Sequence, residues 1–177
     1  KRLMDLFTAL LVLVLFLPFG ILISLLILLE SSGGVFYRQE RIGLKGKPFY
    51  LLKFRSMRPN ADLQGKLTVG ERDPRVTRIG FFIRKFKLDE FPQFINVLLG
   101  DMSVVGPRPH LESLSLEYQK EVDDYLKRHI VKPGITGLAQ VSGYRGEIKK
   151  TSDIKNRVRF DIFYIENWSF FLDIKII

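Results

Sequence analysis

The chain has 177 residues, no cysteine and two histidines, which excludes a disulfide framework and a thiolate zinc site and leaves little scope for histidine metal chemistry. Its 28 Lys and Arg against 19 Asp and Glu give a net charge of +9, and that balance asks for an anionic partner: lipid headgroups, nucleotide phosphates or nucleic acid. Residues 31–177 are long enough for one domain with its own core once the apolar N-terminal run is set aside.

That run, residues 6–29 (LFTALLVLVLFLPFGILISLLILL), holds no charged side chain. As a helix it reaches about 36 Å, enough for a hydrocarbon core of about 30 Å. It is too long for the apolar part of a signal peptide, and no A-x-A-like cleavage site follows. Two readings stay open: a spanning helix, and a re-entrant helix that enters the bilayer, breaks and returns to the same face. Pro18 removes an intrahelical hydrogen bond and Gly20 loosens the helix further, yet spanning helices also tolerate proline. Lys1 and Arg2 cancel Asp5 and Glu30, so residues 31–177 carry the whole +9. Positive charge prefers the cytoplasmic side, and here both flanks can claim it. Residues 1–30 are therefore read as a membrane anchor and residues 31–177 as one surface domain. The chain starts at Lys1 and stops inside an apolar stretch, so it is expected to be a piece of a longer protein.

After Ser31-Ser32-Gly33-Gly34, residues 35–42 predict a strand, residues 43–48 a turn and residues 49–57 a second strand, together a hairpin. Residues 58–78 read as a polar loop. Helices are predicted over 79–86 and 89–99, with Pro92 in the first turn of the second. A loop over 100–109 and an amphipathic helix over 111–128 follow. Turn signals at Pro133-Gly134 and Gly137 flank a short strand at 138–141. Residues 154–177 predict helix crowded with Phe160, Phe163, Tyr164, Trp168, Phe170 and Phe171, with Arg157, Arg159 and Lys175 among them. That mixture suits a helix lying in the headgroup region. The fold class is α+β: a membrane helix, a small mostly helical domain with a short hairpin, and interfacial helices.

Lys87-Leu88-Asp89-Glu90-Phe91-Pro92-Gln93 holds an acidic pair behind Arg84, Lys85 and Lys87. Asp89 reads equally as a helix N-cap with Glu90 in the first turn. The functional alternative uses the same geometry. A helix start favours bound phosphate, nearby cations favour the ionised carboxylate, and a carboxylate attacks phosphorus or binds Mg²⁺ through oxygen. Gly106-Pro107-Arg108-Pro109 is a stiff loop presenting one guanidinium, suited to bidentate phosphate binding or serving only as a rigid turn. Lys53 and Arg55 alternate on the second strand, and Arg84 and Arg145 complete a set of candidate substrate-binding cations. Spacing alone leaves open whether they converge.

The chain resembles the catalytic domain of the bacterial sugar transferases, the monotopic phosphoglycosyl transferases. The resemblance lies in Lys1-Arg2 with Asp5, Phe36 to Gly43, Phe54-Arg55-Ser56-Met57, Asp73 to Arg78, Leu88 to Gln93, Gly100 to Pro109 and Lys132 to Gly137. It implies that an aspartate attacks the β-phosphate of a UDP-sugar, releases UMP and passes the phosphosugar to polyprenyl phosphate, such as undecaprenyl phosphate. Asp89 becomes the nucleophile, Glu90 its partner, Mg²⁺ the cofactor beside both, and Arg108 a phosphate ligand. The anchor becomes re-entrant, broken at Pro18, although Leu17 stands where some members have serine. The implied location is the cytoplasmic face of the bacterial inner membrane, and the step opens exopolysaccharide, lipopolysaccharide or O-antigen synthesis. Pro109-His110 and Tyr144-Arg145-Gly146-Glu147 look most like the branch that moves hexose-1-phosphate. Two rivals remain: a membrane-tethered module binding anionic lipid or nucleic acid, although nothing resembles a nucleic-acid motif, and an inert scaffold. A homo-oligomer is left open.

Overall fold

The computed structural model describes residues 1–61, 73–146, 148 and 150–177. Helix α1 (Arg2–Glu30) contains 29 residues, about 43 Å at the helical rise. It runs unbroken through Pro18, which corrects the expected interruption there. One proline removes one intrahelical bond and leaves the rest of the ladder standing. Just beyond it, the Ser24 hydroxyl donates a further bond to the Gly20 carbonyl at 2.6 Å. By length and composition α1 is able to cross a membrane, and most of its side chains face outward.

Both ends of α1 are nevertheless tied to the same body. At its start, Lys1 pairs with buried Asp173 at 2.7 Å, and Arg2 donates to the carbonyls of Val97 and Leu98. One turn on, buried Asp5 accepts from the Ser103 hydroxyl and the Val104 N–H, both at 2.9 Å. Midway, Phe16 stacks on Phe91 with ring centres 3.8 Å apart. At its end, the Glu30 carboxylate accepts the N–H groups of Arg78 and Ile79 at 2.7 and 2.8 Å.

Strands β1 (Phe36–Ile42) and β2 (Pro48–Phe54) form the predicted antiparallel hairpin, Phe36 opposite Phe54 and Ile42 opposite Pro48. The strand period of two turns Tyr37, Gln39 and Arg41 inward and leaves Phe36, Arg38 and Glu40 exposed. β2 ends three residues earlier than expected, because the chain swings away and Met57 bridges Val76 instead. Of the expected loop over 58–78, residues 62–72 lie outside the described residues, as does Glu147. Helix α2 (Arg78–Lys85) is capped by Thr77, whose hydroxyl accepts from the Gly80 N–H at 2.9 Å.

The helix expected from Asp89 is two elements. Leu88–Glu90 is a 3-10 turn entered through Lys87 in the left-handed region (φ 59°), and α3 (Gln93–Leu99) starts only after Pro92. Asp89 is therefore not the N-cap of an α-helix. The loop after α3 contains β3 (Ser103–Val105), which pairs in parallel with β4 (Gly134–Thr136). That strand lies ahead of the one expected at 138–141, which is instead the single-turn α5 (Leu138–Val141). The pairing needs small residues: a Cβ on Gly134 would collide with the Gly106 backbone nitrogen, and one on Gly137 with the Gly106 carbonyl.

The helix expected over 111–128 divides into α4 (Glu112–Glu121) and a 3-10 segment, Tyr125–Ile130. Val122 turns extended to bury its side chain, and Asp124 takes a left-handed conformation (φ 62°). The C-terminal helix likewise splits into α6 (Thr151–Glu166) and α7 (Phe170–Ile176), the latter capped by Ser169. Phe163, Trp168, Phe170 and Phe171 are exposed, and so are Phe81, Phe82 and Phe86 of the α2 region. Tyr164 and Arg157, by contrast, are buried in the body. The core joins α1, β2, α3, β3 and α6 around Ala9, Leu51, Val97, Val105 and Tyr164.

Candidate active site

The hairpin, the segment after it, α2, the 3-10 turn and the Pro-Arg-Pro loop enclose a cavity of about 440 Å³. Asp89 and Glu90 lie in its wall. Around them stand Arg41, Lys53, Arg55, Arg58, Arg75, Arg84, Lys87 and Arg108, eight cations against the two carboxylates. Of the predicted substrate-binding residues, the fold brings Lys53, Arg55, Arg84 and Arg108 together here. Arg145 is exposed and outside the lining, though its charge still reaches Glu90. Arg55 is partly committed elsewhere: its guanidinium donates to the carbonyls of Gly34 at 2.9 Å and Phe36 at 3.2 Å, bracing the turn that leads out of α1.

The two carboxylates are held in opposite ways. Arg108 grips Glu90 with both prongs, 2.6 Å to Oε1 and 3.3 Å to Oε2, and the Lys53 ammonium lies 3.7 Å from Oε1. Burial alone would raise Glu90, but the charge and hydrogen bonds of Arg108, with Lys53 and Arg145, outweigh it and hold the group at about 2. Asp89 is more buried than Glu90 by surface area, and no other described side chain hydrogen-bonds it. Its pKa is raised, first by burial and further by the charge of Glu90, with Lys53 and Arg84 opposing. This corrects the expectation that neighbouring cations dominate: Lys85 and Lys87 are exposed to water, and desolvation wins at Asp89.

The loop that carries Arg108 is fixed through its backbone. Four successive carbonyls each accept a hydrogen bond: Pro107 from the Gly134 N–H at 2.9 Å, Arg108 from the Arg128 guanidinium at 2.9 Å, Pro109 from Arg41 at 3.3 Å and His110 from the Ile42 N–H at 3.1 Å. Arg128 is 2% exposed and forks onto Asp161 at 2.9 and 2.7 Å. It also donates to His110 Nδ1, so that nitrogen is the acceptor and the ring is neutral; burial and the Arg128 charge both push the His110 pKa down. Arg41 serves loop and cavity together, and burial beside Arg108 lowers it to about 10.

Sequence reasoning missed Tyr37, Gln39 and Arg41 as cavity residues. The signal was available: within a predicted strand they alternate on one face. The Arg128–Asp161 pair had no local signal, because its members lie 33 residues apart.

Asp89 and Glu90 also fit the donor chemistry of Mg²⁺, which takes one or two carboxylates and completes its shell with substrate phosphate and water. No cluster of three or more metal-ligating residues occurs among the described residues, so a protein-only cage is not what this site offers.

The family model for bacterial sugar transferases matches residues 1–177. The chain is 46% identical over its whole length to UDP-glucose:undecaprenyl-phosphate glucose-1-phosphate transferase of Escherichia coli, spanning 38% of that protein. It is 42% identical over its whole length to UDP-N-acetylgalactosamine-undecaprenyl-phosphate N-acetylgalactosaminephosphotransferase of Aeromonas hydrophila, spanning 41% of it. The exopolysaccharide production protein PSS of Rhizobium leguminosarum is 41% identical, and there the chain covers 90% of the relative. With the match running from the first residue to the last, and the acidic pair and the Pro-Arg-Pro loop meeting in one basic cavity, the chain belongs to the bacterial sugar transferase family.

Proposed function

We propose that this chain moves a sugar-1-phosphate, most simply a hexose-1-phosphate, from a UDP-sugar to undecaprenyl phosphate, the first membrane step of a surface-polysaccharide pathway. One observation carries the reading: an open, buried carboxylate, Asp89, stands beside a carboxylate already clamped by Arg108, in a cavity lined by cations. A diphosphate donor needs that positive wall, and a nucleophile needs a carboxylate whose lone pairs are not already engaged. The names of the relatives agree in the acceptor and differ in the sugar, glucose or N-acetylgalactosamine.

In the proposed reaction an oxygen of ionised Asp89 attacks the β-phosphorus. The bond from that phosphorus to the bridging oxygen breaks, and UMP leaves with the oxygen and its electron pair. An oxygen of undecaprenyl phosphate then attacks the same phosphorus, frees the Asp89 carboxylate and yields the lipid diphosphate sugar. Arg108 and Lys53 offset charge on the phosphates, and the four held carbonyls keep Arg108 in register. Mg²⁺ held by Asp89 and Glu90 would add charge neutralisation on the diphosphate.

The acceptor is a lipid, so the site belongs at a bilayer surface, here read as the cytoplasmic face of the inner membrane. The ties at both ends of α1 favour a one-sided anchor: a helix crossing the bilayer would carry Lys1 far from Asp173. The exposed phenylalanines of α2 and α7 suit the headgroup boundary.

The test is UMP release and intact-protein mass after incubating the membrane-reconstituted chain with a panel of UDP-sugars. The expected result is one phosphosugar adduct per chain that Asp89→Asn abolishes. An adduct that persists in Asp89→Asn would move the nucleophile elsewhere.

A further inference from the structure

A second cavity, about 190 Å³ and walled almost wholly by carbon, lies where α1 crosses the hairpin and the start of α3. We infer that it seats the first isoprene units of the lipid acceptor, next to the phosphate they carry; the inference rests on the acceptor proposed above. Phe54 lines both this groove and the catalytic cavity. Phe91 and Pro92, also in its wall, follow directly on Asp89 and Glu90 in the chain. A phosphate at the acidic pair and a chain in the groove would thus flank the same ring, Phe54.

The walls are preformed. Phe16 stacks on Phe91 at 3.8 Å, and Phe36 on Phe54 at 5.6 Å, so these rings are held by one another. Gly20 opens the groove from the α1 side. The nearest atoms a Cβ there would meet are those of the Phe16 ring at 3.6 Å and the Phe54 ring at 3.8 Å, ordinary contacts, so larger side chains would extend into the space. Glycine inside a helix costs stability, and a membrane-facing leucine run gives no local reason for it. The one polar side chain nearby, Ser24, spends its hydroxyl on the Gly20 carbonyl and brings no unpaired donor into the groove. A groove walled by four phenylalanines suits a methyl-branched unsaturated chain, whose branches lie against ring faces, better than a linear acyl chain.

Gly20→Leu tests this in the membrane-reconstituted chain, because the two half-reactions separate. UMP release in a single turnover needs no lipid, whereas transfer does. We expect the variant to form its adduct at the wild-type rate while the apparent KM for undecaprenyl phosphate rises at least tenfold, with Gly20→Ala intermediate. Ile95→Phe fills the same groove from α3 and should act alike. The wild-type preference for undecaprenyl phosphate over a linear saturated alkyl phosphate should shrink by the same factor. An unchanged KM in both filled variants, or an equal loss with the linear phosphate, would overturn the inference and leave ordinary bilayer lipid in the groove. Failure of the wild type to release UMP would instead overturn the proposed reaction.

Discussion

At Asp89 and Glu90, two neighbouring carboxylates are driven apart by their surroundings: burial raises the first, and the Arg108 fork holds the second at about 2. Asp89 therefore titrates above Glu90. UMP release needs the ionised form, so it should fall as pH drops through the raised Asp89 pKa, along a limb of one proton. The Lys53 charge opposes that rise, so Lys53→Met should move the limb to higher pH. A limb that stays in place in a pH–rate profile of Lys53→Met would separate Lys53 from Asp89. Arg108 offers a second test. Lysine keeps the charge but lacks the planar fork, so Arg108→Lys should lose about tenfold or more in turnover, roughly 1.4 kcal/mol of barrier. Steady-state kinetics beside a thermal melt would read this, with the melting temperature little changed.

Among the elements, the Pro-Arg-Pro loop depends on partners that are far away in sequence. Its two prolines have no N–H to donate, so it is anchored by its carbonyls, one of them through the buried Arg128–Asp161 pair. Removing one member strands the other charge in the interior. Asp161→Asn should therefore cost about 3–5 kcal/mol, measured by denaturant or thermal unfolding. A loss within the range of an exposed pair, below about 1 kcal/mol, would mean that water reaches Arg128. The β3–β4 pairing is equally unforgiving: Gly134→Ala drives a methyl into the Gly106 backbone and should loosen the same loop from its other side.

For the whole molecule, α1 acts as a strut laid against the domain, held at Lys1, Asp5, Phe16 and Glu30. With both ends on one body, both should face the same side of a bilayer. The chain has no cysteine, so Leu3→Cys and Ser32→Cys are single reporters. An impermeant thiol reagent should label both from the cytoplasmic side of sealed vesicles. Labelling from opposite sides would make α1 a spanning helix and would require the contacts at one of its ends to be released.

The sequence by itself determined the apolar helix, the hairpin, α2 and the acidic pair with its Pro-Arg-Pro loop. Each is written in neighbouring residues: an uninterrupted apolar run, a period of two around a Gly-Lys turn, a short helical stretch after a polar loop, adjacent carboxylates. The tertiary structure decided what depends on distant ones. It gathered Lys53, Arg84 and Arg108 into one cavity and left Arg145 outside the wall. It placed the parallel strand at Gly134–Thr136, where only glycine admits the Gly106 backbone, ahead of the stretch 138–141 where a strand was expected. It kept α1 continuous through Pro18 and bound both its ends to the same domain. It also decided the balance at Asp89, because the cost of desolvating a charge is set by the atoms that surround it in space, and there burial outweighs Lys53 and Arg84.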